Sequence, residues 1–170
     1  MSRLHICSLA LIGDTVSRTG ARSLMTLLSP GTLVERPPEI APERHLYIAV
    51  SDILAPMSGQ TAPEEKHLTE LLNFVRAWDR AEPMVIHCFA GVSRSTAAAF
   101  IVACALAPER DEFAIARAIR EASPTATPNA RLVALADEAL ERDGRMIAAV
   151  ESIGRGEECF EGTPFVLDLA

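Results

Sequence analysis

No run of this sequence is long and apolar enough for a membrane span. The richest, Ala97 to Ala107, falls well short of the roughly 20 residues a helix needs to cross a bilayer. Basic residues are in deficit, 16 against 23 acidic ones, for a net charge of −7. That speaks against broad binding to nucleic acid or anionic membranes, since both need a basic face. An anionic group on a substrate stays open, because one local site can be positive on an acidic protein. Cysteines are few and scattered: Cys7, Cys88, Cys104 and Cys159 show no CxxC pair and no metal-ligand spacing. They read as reduced thiols of a cytoplasmic protein. Repeats, low-complexity tracts and linkers are lacking too, and 170 residues suit a single domain with its own core. The opening MSRLHICSLALIGDTV lacks a small-residue cleavage site and reads as a first strand rather than a signal peptide.

What is present alternates between strand and helix patterns. Leu4–Leu11 reads as a strand, Asp14–Thr19 as a short helix ended by Gly20, and Arg22–Leu28 as a second strand. Three prolines make 34–44 a loop, and β-branched and aromatic character makes His45–Val50 a third strand. Ser51–Ala62 follows as a flexible loop with Pro56 and Gly59. Thr61-Ala62-Pro63-Glu64 matches a capping box, and Leu68, Leu71, Leu72, Val75 and Trp78 then share one face of a helix running to about Arg80. Pro83–His87 is a short continuous apolar run, suited to a strand buried on both faces. Helices are expected over 93–107, 111–122, from an Asn129 cap onward, and over 145–153. The expectation is an α/β domain: a central, mainly parallel sheet of four to five strands flanked by helices. Residues 145–170 form an extension without an assigned role.

The chemistry concentrates in His87-Cys88-Phe89-Ala90-Gly91-Val92-Ser93-Arg94-Ser95. This segment leaves a buried strand at its carboxyl end, where open α/β sheets bind ligands, and enters a helix. A loop of small residues there can turn successive N–H groups inward as an anion nest, with the helix N-terminus adding its positive end. Gly91 supplies a backbone angle that a side chain would hinder. The same positive field favours the thiolate that a nucleophilic Cys88 needs. The Arg94 fork can grip two phosphate oxygens at once. Ser95 can donate to the sulfur when it departs as thiolate, and His87 holds the loop through a ring N–H. Cys104 packs in the following helix. A Cys7–Cys88 disulfide would require the two Cα atoms within about 7 Å.

HCFAGVSRS resembles the His-Cys-x5-Arg-Ser/Thr signature of the protein tyrosine phosphatase superfamily, and the chain's size is similar to that of its compact dual-specificity branch. The resemblance implies a phosphatase fold and hydrolysis of phosphate monoesters through a phosphocysteine on Cys88, with no metal or other cofactor. Amides of Phe89, Ala90, Gly91, Val92, Ser93 and Arg94, with the Arg94 guanidinium, would stabilise the phosphoryl oxygens. Related enzymes place their general acid after the strand equivalent to His45–Val50. Asp52, 36 residues before Cys88, is the matching carboxylate, ahead of Asp14, Asp79 and Asp111. Asn129, a helix cap in its Pro-Asn context, matches a late polar residue near the pocket in these enzymes. Phosphoproteins are the implied substrates. The loop lacks the lysines that inositide-directed members carry. Phe89 is either an apolar wall or packing under the loop. A rhodanese-like sulfurtransferase and a non-catalytic phosphate-binding module are the alternatives. The five-residue gap, His87 and Ser95 favour the phosphatase over the first, and intact Cys88, Arg94 and Asp52 over the second.

Overall fold

The structure is a computed structural model and describes residues 2–169. Its elements run in the order β1 (Arg3–Ser8), α1 (Ile12–Thr19), β2 (Ser23–Leu28), β3 (His45–Ala49), α2 (Glu65–Ala77), β4 (Met84–Cys88), α3 (Arg94–Leu106), α4 (Glu112–Ala122), α5 (Ala130–Ala139), α6 (Arg145–Ile153) and β5 (Phe165–Asp168). The five strands lie in the order β3-β2-β4-β1-β5. The first four are mutually parallel, and β5 closes the edge antiparallel to β1. The α/β expectation holds, with β4 at the centre and its carboxyl end carrying Cys88.

The helices are shared unequally between the faces. α1 alone covers one face, packing Ile12 and Val16 against Cys7, Leu24 and Val85. The other face carries α2 to α6 over a large core. α3 lies in the middle of that layer, with every residue from Arg94 to Cys104 buried, which is why its sequence is apolar all round rather than striped. Small alanines let it approach the sheet while Phe100, fully buried, fills the space between.

Three local expectations need correction. The first strand stops at Ser8, because Leu9–Leu11 turn as a 3-10 segment into α1. The capping box sits three residues later than Thr61-x-x-Glu64: Glu64 is the cap, its side chain meeting the His67 N–H while His67 Nδ1 accepts from the Glu64 N–H at 3.0 Å. Thr61 is occupied elsewhere, its carbonyl and N–H both paired with Ser51. That pairing also ties the two ends of the 51–62 loop, read as flexible, to each other. α2 ends at Ala77, not Arg80. The extension without a role supplies α6 and the edge strand β5, whose Phe165 and Leu167 are buried and whose Val166 and Asp168 face out.

Candidate active site

The Cys88 loop joins the end of β4 to the first turn of α3, and its backbone bonds fix which way its peptides point. The carbonyls of Cys88, Phe89, Ala90, Val92 and Ser93 all accept from groups outside the loop. The donors are His87 Nδ1 (3.0 Å) and the N–H groups of Leu9 (3.1 Å), Gly162 (2.8 Å), Thr127 (2.9 Å) and Asn129 (3.2 Å). A trans peptide holds its C=O and the next N–H on opposite sides. Five carbonyls turned outward therefore turn the amides of Phe89, Ala90, Gly91, Ser93 and Arg94 inward, as an anion cradle requires. Gly91 takes φ +73°, and a Cβ there would lie 2.8 Å from the Cys7 carbonyl carbon and 2.9 Å from the Ser8 nitrogen. Only glycine meets both demands.

Cys88 is buried beneath the cradle, and its Sγ lies 3.1 Å from Ser95 Oγ. Arg94 opens α3 and is itself buried. Its Nη1 donates to the Val50 carbonyl at 2.9 Å and reaches Ser29 Oγ at 3.4 Å, while Nε is buried without any partner. Among the described residues no carboxylate lies within salt-bridge distance of Arg94. A guanidinium taken out of water with a free N–H edge is costly unless an anion meets it. The chain's other buried arginine, Arg142, shows the contrast: it bonds Glu112 at 2.8 Å and the Cys104 carbonyl at 2.8 Å.

His87 anchors the floor through a chain of bonds whose polarity is fixed. Burial lowers its pKa to about 4, so the ring is neutral near pH 7. The Cys88 carbonyl can only accept, so the proton sits on Nδ1. Nε2 then accepts from the Thr26 hydroxyl at 2.7 Å, and Thr26, its one proton given away, accepts from His45 Nε2 at 2.8 Å. Thr26 and His45 escape a linear reading because β2, β3 and β4 bring them together only in register.

Asp52 stands at the mouth. Its Oδ1 accepts from Ser93 Oγ at 2.7 Å and Asn129 Nδ2 at 2.9 Å. Asn129 makes that bond while its Oδ1 caps α5, as expected, at the Leu132 N–H. Asp14 pairs with Arg18 on α1, Asp111 caps α4, and Asp79 pairs with Arg44 just before β3, at the opposite end of the strands from Cys88. Phe89 is exposed rather than packed under the loop. Cys7 and Cys88 project from opposite faces of the sheet, as their register shows, which argues against a disulfide between them. Burial raises the Cys7 thiol to about 11 and that of Cys104 to about 12. Ser29, Val50 and the tail residue Gly162 are further contributors not anticipated from the sequence.

A protein-tyrosine phosphatase family model matches residues 57–129, a stretch that contains the whole Cys88 loop and ends on Asn129. Over those 73 of its 170 residues the chain is similar to the protein-tyrosine phosphatases. Solved structures similar to it include a mouse putative dual specificity phosphatase complexed with zinc tungstate, 21% identical over 86% of each chain with a TM-score of 0.60. Human DUSP28 is 19% identical over 82% of this chain and 92% of its own, with a TM-score of 0.62. PTPMT1 in complex with PI(5)P is 14% identical over 82% and 90%, with a TM-score of 0.60. At these identities the likeness concerns the phosphatase fold. No curated protein sequence matches the chain.

Proposed function

We propose that this phosphatase domain hydrolyses phosphate monoesters of proteins through a phosphocysteine on Cys88. The observation that carries the reading is Arg94: a buried, carboxylate-free guanidinium with an unpaired Nε, at the end of a loop that begins at the buried Cys88 thiol and turns five amides inward. That arrangement complements a tetrahedral dianion.

In the first step the Cys88 thiolate attacks phosphorus in line, forming the S–P bond as the bond to the leaving oxygen breaks. Asp52, protonated, gives its proton to that oxygen. The loop amides and the Nε–Nη2 edge of Arg94 hold the equatorial oxygens where charge is carried in the transition state. In the second step water attacks phosphorus and passes a proton to the Asp52 carboxylate. The S–P bond breaks, and inorganic phosphate leaves. Ser95 Oγ–H supports the sulfur as it departs with the electron pair. Asn129 and Ser93, both bonded to Asp52 Oδ1, position the carboxylate over the cradle.

A phosphoprotein substrate is favoured over a polyphosphorylated lipid headgroup. PI(5)P occupies one of the similar structures, yet between Cys88 and Arg94 this loop carries only uncharged residues to meet a second phosphate. Purified protein in chelator should release nitrophenol from p-nitrophenyl phosphate. Release by the Cys88→Ser variant at the wild-type rate would remove Cys88 from the mechanism, and cyanide-dependent turnover of thiosulfate in place of phosphatase activity would point to sulfur transfer.

A further inference from the structure

The segment between α6 and β5 returns to the catalytic loop and is pinned at both ends. At the near end, the Gly156 N–H donates to Thr127 Oγ1 at 3.0 Å and the Glu157 N–H to the Pro124 carbonyl at 3.0 Å. At the far end, Ser8 Oγ donates to the Glu161 carboxylate at 2.5 Å and the Gly162 N–H to the Ala90 carbonyl at 2.8 Å. Both glycines lie against backbone: a Cβ on Gly156 would sit 2.5 Å from the Thr125 carbonyl carbon, and one on Gly162 3.0 Å from the Gly91 oxygen. Between the pins Glu157, Glu158, Cys159 and Phe160 form a bridge whose side chains are exposed, Phe160 completely.

This bridge walls a cleft of about 790 Å³ that runs on from Asp52 and Ser93. Such a volume is in the range that holds a sizeable organic group, far more than the phosphoryl alone. Four carboxylates line it, from Asp52, Glu151, Glu157 and Glu158. Its single cation, Arg155, pairs with Glu158 at 3.3 Å. Val92, Pro128, Val150 and Phe160 give it apolar surface, and Phe160 is the one aromatic residue among those lining it.

We infer that this cleft receives the peptide chain on one side of the phosphorylated residue and selects basic residues there, with Glu157, Glu158 and Phe160 as specificity-determining residues. The inference rests on the phosphatase reading and adds a substrate preference to it. A peptide carrying Arg or Lys beside the phosphoresidue meets an acidic wall and an aromatic face that suits a guanidinium or an alkyl stem. A carrier with further phosphates or acidic neighbours meets repulsion.

The test compares wild type with the Glu157→Lys/Glu158→Lys double variant and with Phe160→Ala, each checked by thermal melting. Three substrates are used: p-nitrophenyl phosphate, a pair of phosphotyrosine peptides differing only in Arg or Glu neighbours, and a soluble inositol polyphosphate. Exposed charge pairs contribute about two- to fivefold each. Wild type is therefore expected to prefer the basic peptide by about tenfold in kcat/KM at low salt, with the preference shrinking as salt rises. The double variant should abolish or invert the preference while p-nitrophenyl phosphate turnover stays within about twofold, and Phe160→Ala should raise KM for both peptides alone. Equal use of the two peptides by wild type would overturn the inference, as would a preference untouched by charge reversal or a preference for the polyphosphate. No turnover of p-nitrophenyl phosphate by wild type would instead overturn the phosphatase reading, and the inference with it.

Discussion

Two buried arginines of this chain should respond to the same substitution with opposite consequences. Arg94 and Arg142 are 7% and 8% exposed. Arg142 is neutralised by Glu112, which is itself 5% exposed and also touched by Arg145 at 3.2 Å. Arg142→Met leaves that carboxylate with only the half-exposed Arg145, a loss of about 3 kcal/mol, near the low end for breaking a buried pair. For a chain of this size that corresponds to a fall of about 6–12 °C in Tm. Arg94→Met removes one good bond to Val50 and a weak one to Ser29, costing about 1–2 kcal/mol. It also removes an isolated buried cation, a relief of similar or larger size. The folded protein should therefore keep its Tm or gain slightly.

Function should move the other way. Arg94→Met loses two charge-assisted bonds to the phosphoryl group, about 3–6 kcal/mol together, or about 10²–10⁴-fold in kcat/KM. Inorganic phosphate at about a hundred times its Kd should stabilise wild type by about 2.7 kcal/mol and leave Arg94→Met unmoved. Melting curves of the three proteins with and without phosphate, alongside p-nitrophenyl phosphate kinetics, read all of this. Arg94→Met destabilised as much as Arg142→Met, or still stabilised by phosphate, would refute the view of Arg94 as a cation waiting for an anion.

Three other outcomes are expected. Asp52→Asn should slow phenyl phosphate by about 10²-fold or more and p-nitrophenyl phosphate far less, since the better leaving group needs little protonation; equal losses on the two substrates would show that Asp52 is not the acid. His87 binds a proton near pH 6.5 when unfolded but only near pH 4 when folded, so the unfolded state holds more protons between those values and stability falls as pH drops through them. The full difference is about 3 kcal/mol, measurable by urea unfolding at pH 7.5 and 4.5, and His87→Asn should flatten that slope. Gly91→Ala places a left-handed residue and a backbone clash at the cradle, which should cost about 2–5 kcal/mol and abolish phosphate binding before it abolishes the fold, seen as lost turnover in protein that retains its circular dichroism.

The Cys88 loop was legible because it is local: strand, cysteine, glycine, arginine and helix follow one another, and each imposes its own backbone demand. Asp52 was reachable through topology, since the parallel order of β3, β2 and β4 puts their following loops at one sheet end, whereas Asn129, in the loop between α4 and α5, was reached only through the family resemblance. The capping box went to Thr61 because a linear pattern cannot show that Ser51 already holds both of that residue's backbone groups. The His45–Thr26–His87 chain depends on strand register, which is fixed by the whole sheet. The role of the tail was hidden for the same reason: a four-residue strand and two glycines acquire meaning only when β5 pairs with β1, far away in sequence, and carries Glu161 and Gly162 back to the loop.

The central claim is covalent catalysis by Cys88, and trapping the intermediate tests it most directly. The Asp52→Asn variant, slowed in hydrolysis of the thiophosphate, is mixed with a phosphate-labelled aryl substrate, quenched in acid and digested. The account predicts label on the peptide containing Cys88, chased off with time, and none in Cys88→Ser. Label on another residue, or undiminished turnover by Cys88→Ser without any labelled peptide, would contradict it.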